Sequence, residues 1–259
     1  MNMEAFSLLF LLFARFSALV AILPFFAWSG VPVFSRIGFA ALLAFLVFSA
    51  SGMEGVPLPH HFLLFILAIA TEALLGLALG FLVLLTFTAV RIAGQLIDLQ
   101  SGLMMAAVFD PQLGSQETLF GQFYHLFAVV LFLTLNAHHP LLAALARSAE
   151  LVPPGGVALQ TAALPSFLHF FTQMLVIAFQ LAAPVVAVLI FTDLSLGLIS
   201  KTVPQLQVFI EGMPLKVGIA LLMVYLIFPH LALSLEKVFQ QLTEDLSLLL
   251  RLFGASPVG

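Results

Sequence analysis

Arg15, Glu72 and Asp193 are ionisable residues that stand inside long apolar runs of this 259-residue chain. A charge deep in hydrocarbon is unfavourable, so such residues usually face a partner charge or a water-filled cavity. One interpretation is chemical: the three groups would relay protons or bind a coupled ion. The other is structural: Arg15 would pair with Glu72 or Asp193, and the charges would contact neighbouring subunits. Three scattered groups are few for a relay, which favours the structural interpretation.

Glu72 also begins a four-residue spacing that continues with Gly76 and Gly80. Residues four apart share one face of a helix. Two glycines at this spacing let the backbone of another helix approach closely. We therefore predict a packing seam on this face, with a ligand site as the alternative.

The segment from Arg91 to Gln122 is rich in glycine and is interrupted by Asp110 and Pro111. A broken, partly polar segment cannot face lipid, because its free backbone groups would be left unsatisfied there. It must be enclosed by protein or line a water-accessible path. A helical reading from Ala93 to Phe109 places three polar residues on one narrow face, and the helix is expected to stop before the proline. Those three residues are Gln95, Asp98 and Ser101.

Met104, Met105, Val108 and Phe109 form an apolar cluster just before this break. Methionine side chains are flexible and adapt to irregular shapes. The cluster could therefore seal a pore as part of a mobile loop, with Gly114 supplying loop geometry. A re-entrant loop packed in the protein core explains the same residues, and the residues alone leave both interpretations open.

Other chemistry finds little support. The chain has no cysteine, and the histidines at 60–61 and 138–139 are adjacent pairs that diverge on a helix, so we expect no metal site. No phosphate-binding loop or nucleophile elbow occurs, so neither a cofactor nor an enzyme is expected. The eight Lys and Arg residues are scattered singly, which argues against nucleic acid as a partner.

The composition indicates the elements that must position these residues. The chain is 63% hydrophobic and only 8% charged, whereas soluble domains are about 25% charged. We predict an all-α integral membrane protein of about six long apolar helices in hairpins, with a broken re-entrant or plug loop in the middle. The predicted helices are Phe6–Trp28, Ile37–Met53, Phe62–Val90, Thr118–Ala137, Phe167–Ser200 and Met213–Leu235. Apolar spacing after Glu236 predicts a further amphipathic helix at a surface.

Proline and glycine between residues 152 and 156 divide the chain into a front part, residues 1–160, and a rear helical pair with its tail, residues 161–259. Pro204 and Gln205 are expected to shape the turn of the rear hairpin. The basic residues of alternate loops are too evenly distributed to predict an orientation in the membrane.

Four segments in this order and spacing resemble the family of R-type subunits of the bacterial type III secretion export gate, in its flagellar form. They are GLALGF, RIAGQLIDLQSGLMMAAVFDPQLGSQ, LFLTLNAHH and DLSLGLISKTVPQLQVFIEGMPLK. The resemblance covers essentially the whole chain. The second and fourth segments are specific when found together.

This resemblance implies a non-enzymatic subunit of a hetero-oligomer that also contains P-type and Q-type subunits and adjoins further export-apparatus membrane proteins. The front part would resemble a P-type subunit and the rear pair a Q-type subunit. The assembly would sit in the inner membrane at the flagellar basal body, raised toward the periplasm, in contact with lipid. Unfolded flagellar proteins would pass through its centre. The plug loop would correspond to Ala106–Gln122, with Phe109 prominent.

Two other classes fit parts of the pattern. A secondary transporter for a small solute would use Glu72 or Asp193 for ion coupling, because broken helices and buried charges are common in such proteins. A purely structural membrane scaffold would tolerate truncation of the loop.

Overall fold

The computed structural model describes residues 3–26, 31–51, 61–104, 118–157, 163–202 and 208–254. Within these ranges the regular elements are α-helices, and no strand occurs. The helices are α1 (Met3–Ile22), α2 (Val33–Ser51), α3 (Phe62–Ser101), α4 (Leu119–Thr134), α5 (His138–Leu151), α6 (Ala163–Thr202) and α7 (Val208–Phe253). The predicted all-α class is confirmed.

The chain forms two compact units, and each is built from separate stretches of sequence. Unit 1 contains residues 1–86, 136–171 and 239–259, and unit 2 contains residues 87–135 and 172–238. The predicted division at residue 160 is a different one, because it separates a part that would resemble a P-type subunit from a part that would resemble a Q-type subunit. That division stays a prediction.

Helix α3 is longer than the apolar run that predicted it. It continues past Val90 to Ser101, because the helical backbone bonds persist where the side chains become polar on one face. The sequence predicted that the helix would continue to Phe109, but α3 ends at Ser101. Gly102 has a φ of 88°, a left-handed conformation that glycine adopts at helix ends without steric penalty.

Helix α5 was not among the predicted helices, and its separation from α4 has a local cause. Asn136 lies between the two helices with a φ of 55°, and asparagine is one of the few residues that tolerates this left-handed conformation. Pro140 lies in the first turn of α5, where its missing N–H would have no helical partner. The axes of α4 and α5 are consequently bent by 73°.

Helix α7 contains both the last predicted apolar helix and the amphipathic tail. Its 46 residues run without interruption from Val208 to Phe253, although Pro214 and Pro229 lie within it. The predicted break near Glu236 was therefore wrong. The apolar positions of the tail, which include Leu242, Leu246 and Leu249, are buried in unit 1.

Apolar stripes at helical spacing form the core of each unit. In unit 1, Leu12, Phe16 and Leu19 of α1 are fully buried. In unit 2, the rings of Phe87 and Phe132 meet edge to face, with their centroids 5.6 Å apart. Such aromatic pairs add about 0.5–1.5 kcal/mol to the stabilisation from burial.

Five of the described helices, α1, α2, α3, α6 and α7, are long and apolar enough to cross a membrane. The bent pair of α4 and α5 would add a sixth if both form one broken span. Large apolar side chains are exposed on several of these helices, among them Phe34 on α2, Phe191 on α6 and Tyr225 on α7. These exposed surfaces are consistent with an environment of lipid or other membrane proteins.

Candidate functional site

Arg15 lies in the middle of α1 and is completely buried in unit 1. Its Nε donates to Glu72 Oε2 at 2.6 Å. Its Nη1 donates to the Ser148 carbonyl at 2.8 Å and to the Ser148 hydroxyl at 3.2 Å, and its Nη2 donates to the Val152 carbonyl at 2.8 Å. Each guanidinium nitrogen therefore has an acceptor, as a buried arginine requires.

Glu72 is also completely buried, and both of its carboxylate oxygens are occupied. Oε2 faces Arg15, and Oε1 accepts the N–H of Gly155 at 2.8 Å. Gly155 has a φ of 81° and lies in the turn that follows α5. We name Arg15, Glu72, Ser148, Val152 and Gly155 the Arg15 network. Because Arg15 and Glu72 satisfy each other and are sealed from solvent, the geometry favours structural pairing over ion coupling at Glu72.

Gly76 and Gly80 bring α3 against the backbone of α1 on the same face as Glu72. A Cβ atom added at Gly76 would collide with the carbonyl group of Arg15, and one added at Gly80 would lie 3.1 Å from the carbonyl oxygen of Leu19. The close approach sets the distance between the helices. It thereby places the Arg15 guanidinium within reach of the Glu72 carboxylate one helical turn away.

Asp98 is a buried carboxylate of unit 2 that binds the beginning of another helix. Its Oδ1 accepts the N–H of Phe120 at 3.1 Å, and its Oδ2 accepts the N–H of Gly121 at 2.9 Å. These are the second and third residues of α4, whose N–H groups have no partner within their own helix. The partial positive charge at a helix N-terminus stabilises a carboxylate placed there. We call this arrangement the Asp98 cap.

The backbone contact between α3 and α4 makes the Asp98 cap possible. A Cβ atom at Gly94 would collide with the Phe120 carbonyl, and one at Gly121 would lie 3.0 Å from Cγ of Gln95. Thr118, which directly precedes α4, makes no side-chain capping bond, although threonine often does so. Its buried hydroxyl has no hydrogen-bond partner in the described part of the chain. Asp98, distant in sequence, therefore takes the place of the local cap.

Asp193 joins three helices of unit 2. Its Oδ2 accepts from Nε2 of Gln100 on α3 at 2.7 Å, and its Oδ1 lies 2.8 Å from Nζ of Lys216 on α7. The Asp193 side chain is 42% exposed. Solvent weakens an ion pair of this kind, so it contributes about 0–1 kcal/mol to stability.

Most residues of the predicted gate lie outside the described ranges. Of that set, Met104 is described, and its side chain is 38% exposed. The others are Met105, Val108, Phe109, Asp110, Pro111 and Gly114. Pro204 and Gln205 also lie outside the described residues. The predicted loop Ala106–Gln122 overlaps α4 at its end, because that helix begins at Leu119.

Several contacts were missed from the sequence. Ser148 and Val152 contribute mainly backbone carbonyls to the Arg15 network. Every residue type has a backbone carbonyl, so the sequence does not indicate these contacts. Lys216 lies in the predicted helix Met213–Leu235, but its pairing with Asp193 was not predicted. The signal that could have found it was the opposite charge of the two residues.

Long apolar helices, outward apolar side chains and buried polar contacts between helices define an integral membrane protein of the helical class. The sequence profile described as "Bacterial export proteins, family 1" matches residues 6–242. The chain belongs to this family of bacterial export proteins, which confirms the resemblance drawn from its motifs.

Individual relatives cover nearly the whole chain. It is 37% identical to the flagellar biosynthetic protein FliR of Bacillus subtilis over 258 residues, which is 98% of each protein. It is 29% identical to FliR of Escherichia coli, over 88% of this chain and 87% of the relative. It is also 31% identical to Yop proteins translocation protein T of Yersinia pestis, over 93% of each.

Proposed function

We propose that this chain is a non-enzymatic core subunit of a flagellar type III protein export gate. It would form part of the channel through which unfolded flagellar proteins pass, and part of the plug that closes it. The observation that carries the proposal is the similarity to FliR of Bacillus subtilis, which extends over 98% of both chains. The translocation protein of Yersinia pestis and FliR of Escherichia coli are similar to the chain to about the same extent, at 31% and 29% identity. The preference for the flagellar system over a virulence injectisome therefore rests on the 37% identity to FliR of Bacillus subtilis.

The exposed surface supports assembly with other subunits. Helices α6 and α7 contain 40 and 46 residues, which corresponds to contour lengths of about 60 and 69 Å. The hydrocarbon core of a bilayer is about 30 Å thick. Unless these helices are strongly tilted or bent, lipid covers only part of their apolar surface. We propose that P-type and Q-type gate subunits cover the rest, in an inner-membrane assembly at the basal body that protrudes toward the periplasm.

The proposed gate comprises the plug loop Ala106–Gln122 and the apolar residues at and just before its beginning. Its apolar residues Met104, Met105, Val108 and Phe109 would narrow the channel, because an apolar constriction excludes water and ions. Flexible methionine side chains would let the seal move aside for an unfolded chain and then close again. Gly76, Gly80 and the buried polar contacts would serve packing and assembly.

The first test is co-expression of the tagged chain with P-type and Q-type subunits, followed by native mass analysis in mild detergent. We expect a stable hetero-oligomer that contains this chain. A monomer or homodimer, reproducibly free of the other subunits, would contradict the proposal. It would direct attention to a small-solute transporter, for which neutralising Glu72 or Asp193 should abolish transport.

The second test addresses the seal in the reconstituted assembly. Phe109→Ala removes a large apolar side chain and should make closed vesicles leak ions, whereas Phe109→Met retains apolar bulk and should remain tight. Phe34→Ala is a matched control, because it removes the same atoms from an exposed position of α2 in unit 1. An ion-tight Phe109→Ala assembly would refute the assignment of the seal.

A further inference from the structure

We infer that unit 1 binds a phospholipid with a phosphoethanolamine headgroup, in a cleft between α5 and the end of α7. The cleft has a volume of about 470 Å³, within the size range typical of small-molecule sites. Its α5 side carries Arg147 and Glu150, and its α7 side carries Arg251. A Cβ atom at Gly254 would lie 3.0 Å from the carbonyl oxygen of Leu151, so the ends of the two helices approach each other beside the cleft.

Three charged side chains line this cleft without an ion-pair partner among the described residues: Arg147, Glu150 and Arg251. All three are exposed. Arg147 and Glu150 lie three residues apart on α5, a spacing at which opposite charges can pair on a helix surface, yet each is left to other contacts. Two guanidinium groups and one carboxylate therefore remain available to a ligand.

Stabilisation of the helices explains only part of this arrangement. Arg251 lies in the last turn of α7, where a cation interacts favourably with the partial negative charge of the helix C-terminus. Glu150 lies in the last turn of α5, where a carboxylate is unfavourable for the same reason. The position of Glu150 therefore points to a cationic group of a ligand rather than to stabilisation of its own helix.

Two hydroxyl groups add hydrogen-bond acceptors to the cleft. Thr243 and Ser247 line its α7 side, and they donate to the carbonyls of Phe239 and Glu244 at 3.2 and 2.7 Å. Because each hydroxyl hydrogen is used within the helix, each oxygen can only accept from a ligand. The cleft thus offers guanidinium donors for a phosphate, together with carboxylate and hydroxyl acceptors for an ammonium group. A phosphoethanolamine headgroup carries both of these groups.

Apolar surface beside the cleft favours a lipid over a soluble ligand. Leu151 lines the cleft and is 48% exposed, and Leu248, which follows Ser247, is equally exposed. Exposed charges and exposed leucines side by side are expected where lipid headgroups meet hydrocarbon. The headgroup would enter the cleft, and the acyl chains would cover the two leucines. The site requires only that the chain lies in a membrane, so it does not depend on the proposed gate.

Native mass analysis of the purified full chain in mild detergent measures the binding. The probes are phosphatidylethanolamine, phosphatidylcholine and phosphatidylglycerol with identical acyl chains. The choline lipid keeps the charges but has no N–H donor, and the glycerol lipid keeps the phosphate but has no cation. We expect the ethanolamine lipid to bind at least about threefold more tightly than either, since a partly exposed charged contact corresponds to a factor of this size. Glycerophosphoethanolamine, which lacks acyl chains, should bind at least about tenfold more weakly than the ethanolamine lipid.

Substitutions in the cleft separate the two halves of the headgroup. Glu150→Gln should abolish the preference for the ethanolamine lipid, because the ammonium group loses its carboxylate. Arg147→Gln combined with Arg251→Gln should weaken binding of all three lipids at least about tenfold, because both phosphate contacts are lost. Glu244→Gln and Lys237→Gln are matched controls, because they change charge at exposed positions of α7 other than those that line the cleft. Both controls should keep the unmodified affinities and preference.

Four results would overturn the inference. The first is a dissociation constant of the unmodified chain for the ethanolamine lipid that is no lower than for the other two lipids. The second is a preference that survives Glu150→Gln, and the third is unchanged binding when both arginines are replaced. The fourth is glycerophosphoethanolamine bound as tightly as the lipid, which would make the ligand a soluble one. None of these results bears on assembly with P-type and Q-type subunits, so the proposed function would stand or fall separately.

Discussion

The Arg15 network permits a quantitative test through a double-mutant cycle. The perturbations are Glu72→Leu, Arg15→Met and the two together. Each single variant leaves one charge in a site that is 0% exposed. Breaking a buried ion pair from one side destabilises a protein by about 3–5 kcal/mol, so independent effects would sum to about 6–10 kcal/mol.

The double variant should lower the free energy of unfolding by less than that sum, because no buried charge remains without a partner. Its remaining penalty comes mainly from the Val152 carbonyl, a buried group that loses its side-chain partner. The Gly155 N–H also loses its partner, but Gly155 is exposed and water can replace the carboxylate. The Ser148 carbonyl still accepts the Val152 N–H at 3.0 Å. An unsatisfied buried group is unfavourable by about 1–3 kcal/mol, so we expect the double variant to be destabilised by about this amount.

The assay is SDS-induced unfolding of the purified protein in mixed micelles, with the free energy of unfolding compared across the cycle. Lys216→Met is the control, because it breaks the partly exposed pair with Asp193 and should cost no more than about 1 kcal/mol. Additive effects of the two Arg15 network substitutions would refute the reasoning. Single-variant effects near those of Lys216→Met would refute it too.

Two further predictions concern backbone positions. Gly76→Ala should destabilise unit 1 by about 1–3 kcal/mol or more, because its Cβ would collide with the Arg15 carbonyl. Gly38→Ala on α2 should instead stabilise by about 0.5–1 kcal/mol, because its Cβ would meet no atom within 4 Å. Asn136→Gly should be nearly neutral, whereas Asn136→Val should destabilise by about 1–3 kcal/mol, because a β-branched residue resists the observed φ of 55°. Thermal unfolding of the purified variants checks both predictions, and equal melting temperatures within either pair would contradict the corresponding argument.

Hydropathy predicted the helical class well but placed several helix ends wrongly. The ends of α3 and α7 were missed because a helix is held by backbone hydrogen bonds, which continue when the side chains change from apolar to amphipathic. Val90 and Glu236 mark changes in the surroundings of a helix rather than its ends. The boundary between α4 and α5 depends on the left-handed conformation of one asparagine, Asn136. The spacing of apolar residues does not predict such a conformation.

The polar residues of the site were easier to find than their partners. Charged residues are rare in apolar helices, so four of them stood out in the sequence: Arg15, Glu72, Asp98 and Asp193. Sequence reasoning left two partners open for Arg15, and the structure pairs it with Glu72. The role of Asp98 was not foreseen, since its partners are N–H groups at residues 120 and 121, which every non-proline residue carries.

The Arg15 network also imposes an order on biosynthesis. Arg15 enters the membrane in the first helix, but the Ser148 carbonyl that it binds lies 133 residues later in the chain. At about 5–20 residues per second, translation takes roughly 7–27 s to cover that distance. During this interval the arginine needs temporary solvation by water, lipid headgroups or the insertion machinery. Unit 1 also includes residues 239–259, so α1 belongs to a unit whose last residues are made after all of unit 2. A ribosome that stopped at residue 238 would therefore have made every residue of unit 2 but would leave unit 1, which contains α1, incomplete.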